Sequence, residues 1–408
     1  MVSRLVCINR ALIIPLSPAP SNAKHQSMPP IHDSLSTRKP YQGLLMFAAL
    51  YACVVVHLSL YPYANWRSIG IGPFEFLSGP WIPIYQTVLW TDIAVNVLGY
   101  IPLGFLWMAA LNRRPSSWDK VRVLCLCVAL SFSLESLQTY LPTRVPSKMD
   151  WLTNSIGAAL GIVLAMAVNA VPGLAARLNH RIESWLIQRA WLGMITLTLW
   201  FLCILAPQNP PFSTGLWLGN LFDVPGPQQN GTPFGLPMNV ILAVEQLAPN
   251  FINYCTLTCA WLIGLAQTQA GSPRLRLSLI LMAFTLLLRA MDALVTQAAS
   301  AWWYQAGLWL EANGWGLCMA MAVVIAIARL KLASHQLARL SLLHLLAGWL
   351  ITMLLPGVYD PDLDVHGAGL EGIFRALQEA GRWISELWPI LALTVLAFLS
   401  KPERRFQR

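Results

Sequence analysis

The stretch Trp151–Val171 reads WLTNSIGAALGIVLAMAVNAV, 21 residues without a charged side chain. At a rise of 1.5 Å per residue a helix of this length covers about 32 Å, enough to cross a hydrocarbon core about 30 Å thick. Its apolar side chains do not alternate with period two, which excludes a transmembrane β-barrel strand. In lipid the backbone must satisfy its own polar groups, so the stretch is expected to be helical. Comparable stretches recur along the chain. With this one they give ten expected spans: Leu44–Leu60, Trp90–Leu111, Val121–Leu141, Trp151–Val171, Leu186–Ala206, Leu247–Ala266, Leu277–Ala298, Ala306–Leu330, Leu340–Leu355 and Trp383–Leu399. Composition agrees: of 408 residues 56% are hydrophobic and 11% charged, against about 25% charged in a soluble domain. The expected fold is all-α, a polytopic bundle of transmembrane helices.

The formal net charge of +9 is a matter of topology. With both termini cytoplasmic, 21 of the 27 Lys and Arg fall in segments expected inside. Arg67, Arg144, Lys148, Arg375 and Arg382 fall outside, and Arg289 lies within a span. Such asymmetry is the positive-inside pattern. A nucleic-acid surface would not alternate from loop to loop, so that class is excluded. Residues 1–43 are polar and rich in Pro and Ser, with Arg10 and Ser17 interrupting the short apolar run Leu5–Leu16. They are expected to form a disordered cytoplasmic tail, with Met28 as a second translation start.

Two membrane domains are expected after the tail. Residues 44–171 form a four-helix unit with short connections. Residues 172–408 form a second unit of six helices with external segments 207–246 and 357–386. Within those segments Met238–Leu247 is expected as an interfacial helix ahead of Pro249, and Glu371–Leu387 as an amphipathic surface helix. Trp66, Trp90, Trp151, Trp302 and Trp383 sit near span ends, as an aromatic belt requires. Asp360-x-Asp362-x-Asp364 lacks the in-register glycine and twelfth-position glutamate of a calcium loop. The eight cysteines form no CxxC pair and neighbour no ligand-spaced His. Neither a metal nor a cofactor is expected. No internal repeat supports an inverted-repeat transporter.

Ionisable groups in or beside apolar helices are costly in lipid and mark a site by default. Asp92 and Asn96 share a face at the start of the second span, and Pro102 follows within it. Glu135 and Gln138 share a face near the end of the third, with Glu135 roughly 9 Å below its outer end. Asp150 and Asn154 open the fourth. All three pairs thus reach one depth, with Arg144 and Lys148 in the short connection above them. Two readings stay open. In the first, Glu135 pairs with Arg144 or Lys148 or is protonated, and Asn154 and Gln138 complete hydrogen bonds between helices. In the second, an outward-facing pocket takes a polar head group, with the basic residues drawing phosphate and the carboxylates contacting sugar, amine or a proton. Asp150 also suits a helix start. Gly157-x-x-x-Gly161 is a small-residue packing seam. Arg289 and Asp292, three apart on the seventh span, read as a self-neutralising pair or a secondary part of the pocket.

Asp92-x-x-x-Asn96, Pro102-x-Gly104, Glu135-x-x-Gln138, Arg144 and Asp150-x-x-x-Asn154-x-x-Gly157-x-x-x-Gly161 together resemble the VanZ-like family of bacterial membrane proteins over Leu44–Val171. The resemblance implies a multi-pass protein of the bacterial inner membrane with a role in the cell envelope. The family's founding member is associated with low-level teicoplanin resistance. The resemblance assigns no reaction, and the six later spans are an extension beyond it. The leading expectation is a protein that binds membrane lipid, a lipid-linked envelope precursor or a glycan at Asp92, Asn96, Glu135, Gln138, Arg144, Asp150 and Asn154. Two alternatives are a proton- or cation-coupled transporter or flippase using Asp92, Glu135 and Asp292, and a membrane enzyme acting on an isoprenoid-phosphate carrier. No phosphate-cradling glycine loop or Ser–His pairing is visible in the sequence.

Overall fold

A computed structural model describes residues 42–68, 70–81, 90–111, 115–205, 238–296, 302–354 and 370–402. Within these, the side chains of 175, 176, 179, 238–246, 292–296, 302–309, 311, 312, 370 and 371 are not described. The chain divides into the units Met1–Lys39 and Pro40–Arg408. The first lies outside the described residues, as do 207–237 and 357–369 of the two expected external segments, Asp360–Asp364 among them.

The second unit is all-helical in its described residues apart from one bridge between Leu186 and Thr268. Its helices are α1 (Gln42–Leu60), α2 (Trp90–Ala110), α3 (Ser117–Gln138), α4 (Lys148–Ala170), α5 (Leu174–Trp185), α6 (Ala190–Ile204), α7 (Met238–Ala266), α8 (Arg274–Thr296), α9 (Trp302–Arg329), α10 (Ser334–Leu354) and α11 (Leu370–Leu399). Among the described residues α1–α4, α10 and most of α11 are long and apolar enough to cross a membrane. Two shorter apolar helical stretches, Ala190–Ile204 and Asn313–Arg329, accompany them. The ten spans and cytoplasmic termini expected from the sequence go beyond these six.

Local chemistry sets the helix ends. Ser116 and Asp119 form a reciprocal capping box at α3, with the Asp119 N–H donating to Ser116 Oγ at 3.1 Å and the Ser116 N–H to Asp119 Oδ2 at 2.9 Å. Such a box satisfies two amide donors that the first turn leaves orphaned. Ser147 caps α4 by accepting from the N–H groups of Met149 and Asp150. α5, in a stretch expected from the sequence to be a connection, begins after Gly173 at φ +72°, a left-handed conformation open to glycine.

Two expected boundaries are corrected. Met238–Leu247 is not a separate interfacial helix, because α7 runs unbroken through Pro249. Glu371–Leu387 is likewise continuous with the last span, and α11 runs through Pro389. Proline is tolerated inside membrane helices because neighbouring helices and local adjustments satisfy the freed backbone group. α1 also starts at Gln42, two residues inside the expected tail.

Buried apolar side chains gather in two clusters. One joins α1–α4 around Tyr100, Leu103, Leu134 and Ile162. The other joins α6–α11 around Trp200, Trp261 and Trp388. Contacts of α1 with α6 and α11 link them. A Cβ added at Gly43 would press on Trp191 at the start of α6. At the other end of α1, His57 Nε2 donates to the Ala376 carbonyl of α11 at 2.6 Å.

Candidate functional site

The site is built on the packing of α2 against α4. A Cβ at Gly157 would run into the Val97 carbonyl, one at Gly161 into the Ile101 carbonyl, and one at Gly104 into the Ala158 carbonyl. Three glycines on two helices thus bring the backbones together, as small-residue seams do in membranes. Gly157 and Gly161 are the seam expected from the sequence. Gly104 on the facing helix completes it, and its spacing from Pro102 was the available signal.

That approach sets the polar pairs side by side. A cavity of about 570 Å³ opens between α1, α2, α3 and α4. All seven residues singled out in the sequence border it: Asp92, Asn96, Glu135, Gln138, Arg144, Asp150 and Asn154. Tyr51, Tyr100 and Thr143 add polar atoms not anticipated from the sequence, although Tyr100 lies between Asn96 and Pro102. Asp92 is exposed while Glu135 is 3% exposed, so the cavity grades from an open mouth to a closed floor. Asp150 faces both Asp92 and Asn96 across the seam.

Each polar group has a defined position. Glu135 Oε2 accepts the Ser147 N–H at 2.8 Å. Gln138 Nε2 donates to the Ser59 carbonyl at 3.0 Å, tying α3 to α1. Asn154 Nδ2 donates to Ser131 Oγ at 3.0 Å, tying α4 to α3. The Tyr51 hydroxyl donates to the Gly99 carbonyl at 2.8 Å. Arg144 turns its guanidinium onto the end of α1, with Nε and Nη2 donating to Tyr61 at 3.1 and 2.8 Å and Nη2 also to Leu58 at 2.9 Å. Burial lowers the pKa of this guanidinium from its ordinary value, and the nearby Glu135 carboxylate acts the other way. The last carbonyls of a helix lack intrahelical partners, so Arg144 serves as a cap from another element.

The expected ion pairs of Glu135 therefore do not form: its carboxylate bonds to a backbone amide, and Arg144 bonds to carbonyls. Lys148 is also turned aside. Its Nζ donates to the Leu77 carbonyl at 3.4 Å and lies 4.7 Å from the centre of the Trp81 ring, and the residue does not line the cavity. Arg289 is on α8 and is not among the lining residues. The Asp292 side chain lies outside the described residues.

Among the described residues the buried Asn154 Oδ1 at the cavity has no hydrogen-bond partner, and the buried Tyr100 hydroxyl makes no close hydrogen bond, interacting only with the side chain of Ser131. Tyr100 is 4% and Asn154 6% exposed. A buried polar group left unpaired costs about 1–3 kcal/mol. Both atoms belong to residues that line the space a ligand would fill.

An all-helical bundle with several membrane-crossing helices defines a multi-pass membrane protein. Within it, residues 45–169 match the model of the VanZ/LLP1 family. That match takes in every residue that lines the cavity except Ile373 of α11, and it ends within the last turn of α4. No curated protein and no solved structure matches the chain.

Proposed function

We propose that this VanZ-like protein sits in the bacterial inner membrane and binds the polar head group of a lipid or lipid-linked envelope precursor. The ligand enters the α1–α4 cavity from the non-cytoplasmic face. The observation that carries this reading is the pairing of an open cavity with unsatisfied buried polar atoms. Helix-to-helix bonding accounts for Gln138, for Asn154 Nδ2 and for one oxygen of Glu135. Among the described residues it leaves Asn154 Oδ1 without a partner and the Tyr100 hydroxyl with only the Ser131 side chain, and it does not fill the space these residues line. A head group rich in hydroxyl or amine groups would satisfy both atoms and reach the three carboxylates. Pockets of about 300–1,000 Å³ with a few convergent polar groups are the usual size for a small ligand.

The test is lipid retention. Protein purified in native lipid is expected to carry a head-group-bearing lipid by native mass spectrometry. The double variant Glu135→Gln and Asp150→Asn is expected to lose that lipid at unchanged membrane abundance. Identical lipid profiles for the two proteins would end the proposal.

A further inference from the structure

A second space of about 510 Å³ adjoins the α1–α4 cavity, and the two share Leu58, Thr143, Arg144 and Ile373. The far wall of the second space is α11, through Gly372, Ile373 and Arg375. It therefore joins the family-matched segment to the extension beyond it. Arg375 stands out within it. Its Nε and Nη2 atoms are buried and have no acceptor among the described residues, which do not include the Glu371 side chain. Arg144, on the opposite wall, already spends its Nε and Nη2 on the Tyr61 and Leu58 carbonyls. Tyr61 lies in the field of both Arg375 and Glu379, one helical turn apart, yet neither charge is joined to the other as an ion pair.

Leaving a buried guanidinium edge without an acceptor is costly, more so than leaving a neutral donor. A planar fork with two free donors on one side matches the oxygens of a phosphate, which it binds in bidentate fashion. Here Arg375 lines a space large enough for such a group, and that space adjoins the first cavity. The helix is held in place by the bond from His57 to the Ala376 carbonyl, next in sequence to Arg375. α11 is 30 residues long, about 45 Å. It exceeds a hydrocarbon core of about 30 Å, so one end projects into the head-group layer. Its charged residues Glu371, Arg375, Glu379, Arg382 and Glu386 all lie in its first 17 residues, which puts the projecting end beside the cavity.

From this geometry we infer that Arg375 is the anion-binding residue of the site, taking a phosphate or diphosphate ester whose uncharged polar part extends into the α1–α4 cavity. This rests on the head-group reading above and narrows it to a phosphorylated head group. It also gives α11 a binding task, with the positive charge at the α11 wall and the carboxylates of Asp92, Glu135 and Asp150 beyond Arg144. The expected ligand is thus anionic at one end and hydroxyl- or amine-bearing at the other.

Full-length protein in phosphatidylcholine nanodiscs is titrated calorimetrically with geranyl diphosphate, inorganic diphosphate and geraniol. Wild-type protein is expected to bind geranyl diphosphate well above geraniol. Arg375→Gln is expected to weaken that binding by about tenfold or more, with Arg375→Lys between the two. Inorganic diphosphate binding as tightly as the geranyl ester would support the anion site while assigning it to a free anion. Weaker inorganic binding assigns it to a lipid-borne one. Equal wild-type binding of geraniol and geranyl diphosphate would overturn the inference, and so would unchanged diphosphate binding in Arg375→Gln. Should Arg375→Gln not remain monodisperse, the wild-type ranking and the lysine variant decide. Diphosphate binding lost in Arg375→Gln but untouched by Glu135→Gln with Asp150→Asn would uphold the anion site and remove the acidic-pocket reading. The opposite pattern would remove the anion site alone.

Discussion

Tyr100 and Asn154 show how one atom separates binding from packing. A buried hydroxyl without a close hydrogen bond destabilises the empty protein, so Tyr100→Phe is expected to leave thermal stability unchanged or slightly raised. The same change is expected to reduce the head-group lipid that co-purifies. Melting curves and lipid mass spectrometry on one preparation check both, and a clear loss of stability would show that the hydroxyl already has a structural partner. Gly161 is the opposite case. Gly161→Val drives a side chain into the Ile101 carbonyl and the Phe105 amide of α2. Overpacking of this kind costs about 1–3 kcal/mol. The melting temperature should fall and the cavity should be lost with it, whereas an unshifted melt would mean that α2 and α4 can part freely. The residue types were legible in the sequence at this scale. The hydrogen-bond partners were not: Glu135 had two cations nearby in sequence and bonds to neither.

Among the elements, α4 does the most positioning. Its N-terminus is capped by Ser147, whose own N–H is held by Glu135, so the start of one helix and the carboxylate of another are coupled. Ser147→Ala removes the hydroxyl cap and should cost about 1 kcal/mol in thermal unfolding; an unaltered melt would show that the Ser147 hydroxyl adds little to the α4 start. The sidedness of this end is tested by reporter fusions in the loop Thr143–Lys148. They are expected to report a non-cytoplasmic location, and a cytosolic signal would reverse the orientation of the cavity. Spans α1–α4 were readable because long apolar runs leave a helix no alternative in lipid. The continuity of α7 and α11 was not. A proline or a cluster of charges reads locally as a boundary, while packing against neighbouring helices decides whether the helix stops there.

At the scale of the molecule, the cavity is closed by a helix some 200 residues away in sequence from the motif that forms it. Leu58 and Ile373 face the same two spaces. In a cysteine-free background, Leu58→Cys with Ile373→Cys is expected to cross-link through a short bifunctional maleimide, with a mobility shift as the readout. Absence of the cross-link would separate α11 from the site. Hydropathy, charge asymmetry and the spacing of Asp92, Glu135 and Asp150 sufficed, without coordinates, to indicate an all-helical membrane protein and to single out seven polar residues around one level. Those properties are periodic and local, so they survive in one dimension. Only the tertiary structure decided that Arg144 caps α1, that Lys148 points away, and that Arg375 enters from α11. Such outcomes depend on which backbone carbonyls and cavities distant helices bring within reach of a side chain, and a linear pattern does not carry that distance.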